Sequence, residues 1–134
     1  MAEIVDFIRR GSMLITPAIL EKIHRKLPLW KAEYSQIQSP EYPHLAEQLM
    51  FLVNVVEDFA DGVAKDIPYV TIAQAIFALS YAHKSVDIIP DTVPELGHAD
   101  DSSVVRAVLI QNEKVLAKRA IEQGRNWSRI TSKP

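Results

Sequence analysis

Apolar residues recur at spacings of three and four along most of this chain, and no stretch alternates apolar and polar residues with the β-branched enrichment of a strand. The clearest run is Leu45, Leu49, Leu52, Val53, Val56, Phe59, Ala60 and Val63, which predicts a helix over about 44–65 with this stripe against the core. Thr16-Pro17 has the form of a helix cap followed by a first-turn proline, and Ile19, Leu20, Ile23 and Leu27 continue it at helical spacing. Pro28 then either kinks this helix or opens another that carries Leu29, Trp30, Tyr34 and Ile37. Pro68 suits the first turn of a helix reaching His83, with Ile72, Ala73, Ile76, Phe77 and Leu79 inside. A last helix is expected to start between Asp100 and Ser102, whose side chains can accept from free backbone N–H groups, and to stop at Gly124. Ala2 to Arg10 forms a short additional helix ending at Gly11 in this reading. The expected fold class is all-α: a single compact helical domain of about five helices over residues 1–124, followed by a flexible basic tail over 125–134.

Composition narrows the chemistry. The chain has 134 residues, 48% of them hydrophobic and 24% charged, which suits one soluble globular domain. The absence of cysteine removes disulfides, thiolate metal sites and cysteine nucleophiles. No apolar run approaches the ~18 residues of a spanning helix, and Glu3 and Asp6 are foreign to a secretory leader, so a cytoplasmic chain is expected. The net charge of −2 conceals segments of opposite sign: +2 over residues 1–40, −9 over 41–101 and +5 over 102–134. Such separation either steers charged partners or lets helices of opposite charge pack together.

Between the last two helices the chain reads D-I-I-P-D-x-x-P-x-x-G-x-x-D-D, preceded by an apolar helix ending in tyrosine. Over about 68–110 this resembles the YkvA-like bacterial domain of unknown function, carried by Tyr81, Asp87, Ile89, Pro90, Asp91, Pro94, Gly97, Asp100 and Asp101. The resemblance implies a small helical fold, with membrane association in some members and no settled activity.

Read from their chemistry, these residues support two alternatives. In the first, Asp100 or Asp101 caps the final helix, Asp87 and Asp91 make local turn bonds, the prolines stiffen the connection and Gly97 supplies a positive φ, with no ligand or cofactor needed. In the second, Asp87, Asp91, Asp100 and Asp101, with His98 between them, offer hard oxygen and nitrogen ligands to magnesium or manganese. Asn54, Glu57, Asp58 and Asp61 fall on one helical face, so Glu57 and Asp61 could join such a site for metal-assisted phosphoester hydrolysis. EF-hand, H-E-x-x-H, P-loop, G-x-G-x-x-G and G-x-S-x-G patterns are all missing, and no residue is assigned as catalytic.

Three further features stand out. His83 lies near the apolar face and the end of its helix, where a carboxylate or carbonyl partner is expected to hold it. Asn112 interrupts the stripe of Val105, Val108, Leu109, Val115 and Leu116, which predicts an amide bonded across the bundle or set at a subunit interface. Lys114, Lys118, Arg119, Arg125 and Arg129 surround Trp127, a combination suited to an anionic membrane surface; nucleic acid fits poorly with a pI near 6.1. The resulting functional alternatives are a non-enzymatic scaffold or interaction module, self-associating or peripheral to a membrane, and a metal-dependent phosphoester hydrolase.

Overall fold

Thr16 takes an extended backbone conformation and its hydroxyl accepts from the Ile19 N–H at 3.2 Å, while Pro17 occupies the first turn. These two residues start α2 (Pro17–Tyr34), whose Ile23, Leu27, Trp30 and Tyr34 form one fully buried stripe. The helix continues through Pro28. That proline lies on the exposed face, where its ring displaces no core side chain and the one orphaned carbonyl, on His24, can meet water.

The computed structural model describes residues 2–37, 40, 42–83 and 98–131, with side chains left aside at 2, 98–100 and 131. Among these residues all regular structure is helical. Before α2 comes α1 (Ala2–Ser12), with Glu3 in its first turn and Arg9 and Arg10 in its last, each sign complementing the helix dipole. α3 (Leu45–Ala60) buries Leu45, Gln48, Leu49, Phe51, Leu52 and further valines on more than one face, as a central helix must. α4 (Tyr69–His83) is its counterpart, buried from Thr71 to Tyr81 except at Gln74. α5 (His98–Gln111), α6 (Glu113–Glu122) and α7 (Trp127–Thr131) complete the order.

α3 and α4 pack together at the centre; α2 covers α3, and α1 and α5 flank α4 and also touch each other. Directions follow from specific pairs. His24 meets Asp61 and Lys31 meets Glu57, so α2 and α3 are antiparallel. Thr71, at the start of α4, meets Asn112, just past the end of α5, so these two are antiparallel as well. One end of the molecule therefore gathers the α1–α2, α3–α4 and α5–α6 turns, and the other gathers the last turns of α2 and α4 with the first turn of α5.

The structure corrects several expectations. α3 stops at Ala60, because Gly62 adopts φ +82 and the Val63 and Ala64 N–H groups both turn back to the Asp58 carbonyl. Val63 is consequently 68% exposed rather than in the core stripe. The helix expected from Asp100–Ser102 to Gly124 begins earlier, at His98, and is divided at Asn112. Asp100 and Asp101 thus lie inside its first turn and not at its cap, where their charge still favours the positive end of the dipole. At the division Asn112 leaves helical backbone geometry, with φ −114 and ψ 27, and its side-chain amide donates to the Val108 carbonyl at 2.8 Å beside its own backbone N–H at 3.1 Å. Finally, part of the segment expected as a tail is ordered: α7 buries Ile130 to 1% exposure, and the Gln48 amide donates to the Ile130 carbonyl at 2.6 Å. With both the division and α7, the described residues hold seven helices where about five are expected.

Candidate functional sites at the two ends of the molecule

At the end where α4 finishes and α5 starts, polar groups converge on the core. The Tyr34 hydroxyl, at the last residue of α2, donates to the Leu79 carbonyl at 2.6 Å. Burial pushes the Tyr34 phenol well above its ordinary range, and the negative charges of Glu33 and Asp101 push it further. Asp101, 4% exposed, is therefore close enough for its charge to be felt at the α2 terminus. His83 stacks on Trp30 with ring centroids 4.4 Å apart, and its Nε2 lies 2.9 Å from Glu33 Oε2 without hydrogen-bond alignment. Its carboxylate neighbour thus comes from a distant helix. Ser80 and Ser102 are fully buried, with hydroxyls that make no hydrogen bond among the described residues. A serine nucleophile needs a base bonded to its hydroxyl, so neither serine is activated by His83 in this arrangement.

Of the residues proposed as metal ligands, Asp87 and Asp91 lie outside the described residues, as do the motif positions Ile89, Pro90, Pro94 and Gly97. The side chains of His98 and Asp100 are likewise outside them. Tyr81 and Asp101 are described and buried. The acidic face of α3 does not join them. Glu57 pairs with Lys31 at 2.8 Å, Asp61 with His24 at 3.0 Å, and Asp58 accepts from both Arg119 and Gln123, the latter at 3.2 Å. Among the described residues no three His, Asp or Glu side chains are grouped to hold a metal ion.

Those pairs explain the charge separation along the chain. Arg119 ties α6 to α3, and its hydrogen bond to Asp58 raises the guanidinium pKa further above its usual value, against the desolvation that lowers it. Arg129 reaches Glu47 at 3.5 Å, Arg125 lies 5.9 Å over the Phe51 ring, and Trp127 meets that ring edge-on at 6.0 Å. The basic C-terminal stretch is in this way directed at the acidic central helix, with Lys114 and Lys118 left exposed. Asn112 sits in a bonded chain between helices: Thr71 donates to its Oδ1 at 2.9 Å, and its Nδ2 donates to Gln74 at 2.8 Å. No helix among the described residues is long and apolar enough to cross a membrane.

The opposite end is apolar and open. Met13 and Leu14 occupy the α1–α2 turn, Val63 the α3–α4 turn, Tyr69 and Val70 the start of α4, and Ile110 the last turn of α5; all are exposed. Two contacts fix them to one end. Tyr69 donates from its hydroxyl to the Ile15 carbonyl at 2.8 Å, and Thr71 reaches Asn112, two residues beyond Ile110. Single exposed apolar residues are ordinary, but six on adjoining turns constitute a patch. The hydrophobic stripes do not point to them: Val63 is expected in the core stripe of α3, and Tyr69, Val70 and Ile110 stand off the inner stripes of their helices; the available signal is the Met13-Leu14 pair next to a predicted helix stop.

No curated protein and no solved structure matches the chain. A family model does match residues 71–106, from the first turn of α4 into α5, and over that stretch the chain is similar to the family described as a protein of unknown function (DUF1232).

Proposed function

We propose that this chain is a non-enzymatic interaction module that associates through its apolar end. The observation that carries this reading is the exposure of Met13, Leu14, Val63, Tyr69, Val70 and Ile110 on adjoining turns. Surfaces of this kind are costly to leave in water and mark association sites. The acidic face of α3 supports the same reading, since Glu57, Asp58 and Asp61 are taken up in contacts with Lys31, Arg119 and His24 of other helices. The stretch around Tyr81 and the D-I-I-P-D segment supports assignment of this region to the YkvA-like domain, with the aspartates in structural roles.

A photo-crosslinking residue at position 13, compared with one at the partly exposed Lys26 on α2, tests the module. Adducts of defined mass are expected at position 13 and not at 26, whether the partner is another copy or a different protein. Equal adduct yields at the two positions would overturn the proposal.

A further inference from the structure

The rim of the apolar end says which occupant it fits. Exposed Lys65 and Asp66 follow Val63 in the α3–α4 turn, exposed Glu113 and Lys114 open α6 just after Ile110, and exposed Glu21 and Lys22 lie one turn into α2. Each is an adjacent pair of opposite sign, and exposed Arg9 and Arg10 at the end of α1 and exposed Asp61 after α3 stand at the same end, so the rim carries both signs of charge. A lipid headgroup layer or a nucleic acid presents one sign of charge and selects a rim of the other. A two-fold contact between identical chains instead sets the same patch against itself, so that a cation on one copy can meet an anion on the other only if both signs are present. Apolar centre and mixed-sign rim also match the usual anatomy of a protein interface.

We infer that the occupant of this end is a second copy of the chain, in a two-fold dimer with Met13, Val70 and Ile110 near its centre and the three charge pairs around it. This rests on the interaction-module reading and adds the identity of the partner. The two central helices are antiparallel within each chain, so the dimer joins the molecules end to end and leaves the Tyr34 and His83 ends pointing outward.

Sedimentation over a wide concentration series tests the inference. The wild-type chain is expected to pass from one chain to two as concentration rises, and Met13→Glu with Val70→Glu to remain at one chain with unchanged helical circular dichroism. Rim specificity is tested by two paired variants. Lys65→Glu with Lys114→Glu makes the rim acidic, and Asp66→Lys with Glu113→Lys makes it basic; each alone is expected to dimerise more weakly than wild type, and their mixture to form the heterodimer preferentially. A wild-type chain that stays single at every concentration would overturn the inference, as would a dimer indifferent to Met13→Glu or to the rim variants. Binding to phosphatidylglycerol vesicles that is lost in the Met13 variant would overturn it too. If position 13 crosslinks to a different protein while the chain remains single, the second copy is wrong and the interaction module stands; if position 13 behaves as position 26, both fail.

Discussion

Gly11 lies against the face of Phe77 so closely that a Cβ at position 11 would fall 2.0 Å from Cε1 of that ring. The contact lets α1 approach α4 at the point where Phe7, Phe77 and Tyr81 form an aromatic cluster, Phe7 and Phe77 edge-on at 5.3 Å. A glycine inside a helix costs about 1 kcal/mol against alanine, so its presence here reflects the approach and not the helix.

Gly11→Ala is accordingly expected to lower stability by roughly 1–3 kcal/mol, the usual range for overpacking, despite alanine's better helix propensity. Gly11→Ala in a Phe77→Leu background should cost less, because the smaller side chain vacates the colliding volume. Thermal unfolding of the four proteins of this double-mutant cycle measures the coupling. Additive losses would show that the ring is not what position 11 accommodates.

That glycine illustrates where the sequence is readable. The Thr16-Pro17 cap, the stripe of Ile23 and Leu27, and the extent of α4 are local properties, and the structure follows them closely. Pro28 was ambiguous because its effect depends on which face of α2 it occupies, and that is decided by Trp30 and Tyr34 packing inward. The stop after Ala60 depends on a single carbonyl, of Asp58, being claimed by later donors, and the division depends on one residue, Asn112, leaving helical backbone geometry. Partner choice was less legible still. Asp58 and Arg119 are 61 residues apart, and Glu33 and His83 are 50 apart, so residue type shows that each seeks a partner without showing which. The apolar end was hidden for a different reason, since it is assembled from turns that only the tertiary structure brings together.

Tyr34 provides a pH-dependent prediction. Its phenol stays protonated in the folded chain well above the ordinary tyrosine range, while in the unfolded chain it ionises near pH ~10. Above that pH the unfolded state holds fewer protons than the folded state at this site, so stability falls as pH rises; below it Tyr34 contributes no slope. Tyr34→Phe should cost about 1 kcal/mol at neutral pH through loss of the bond to Leu79, and should make the alkaline decline shallower. Denaturant unfolding at neutral and alkaline pH measures both quantities, and parallel alkaline limbs for the two proteins would contradict the assignment.

Asn112→Leu removes an acceptor from Thr71, which is 2% exposed, and a donor from Gln74. A buried hydroxyl left without a partner costs about 1–3 kcal/mol, and leucine gains little at a half-buried helix junction. Thr71→Val in the same chain removes the orphaned hydroxyl and should restore part of the loss. Urea unfolding of the two single variants and the double variant decides the matter: a double variant as unstable as the sum of the singles would mean that Asn112 acts through the α5–α6 junction alone.

Arg119 separates a structural cation from a surface one. Its side chain is 16% exposed and bound to Asp58, which Gln123 also contacts, whereas the adjacent Lys118 is exposed. Arg119→Met is expected to destabilise the chain by about 1.5–3 kcal/mol, the range for hydrogen bonds to charged groups, and Lys118→Met by less than about 0.5. Much of the first loss would come from leaving the Asp58 carboxylate half-buried without its cation, so Asp58→Asn combined with Arg119→Met should cost less than the two changes added together. Equal effects at 118 and 119 would place Arg119 among the solvated charges and would detach α6 from α3 as an electrostatic pair. The sizes of these effects also separate two uses of the basic C-terminal stretch, because a cation committed to Asp58 for stability is not available to an anionic surface without partial unfolding of α6.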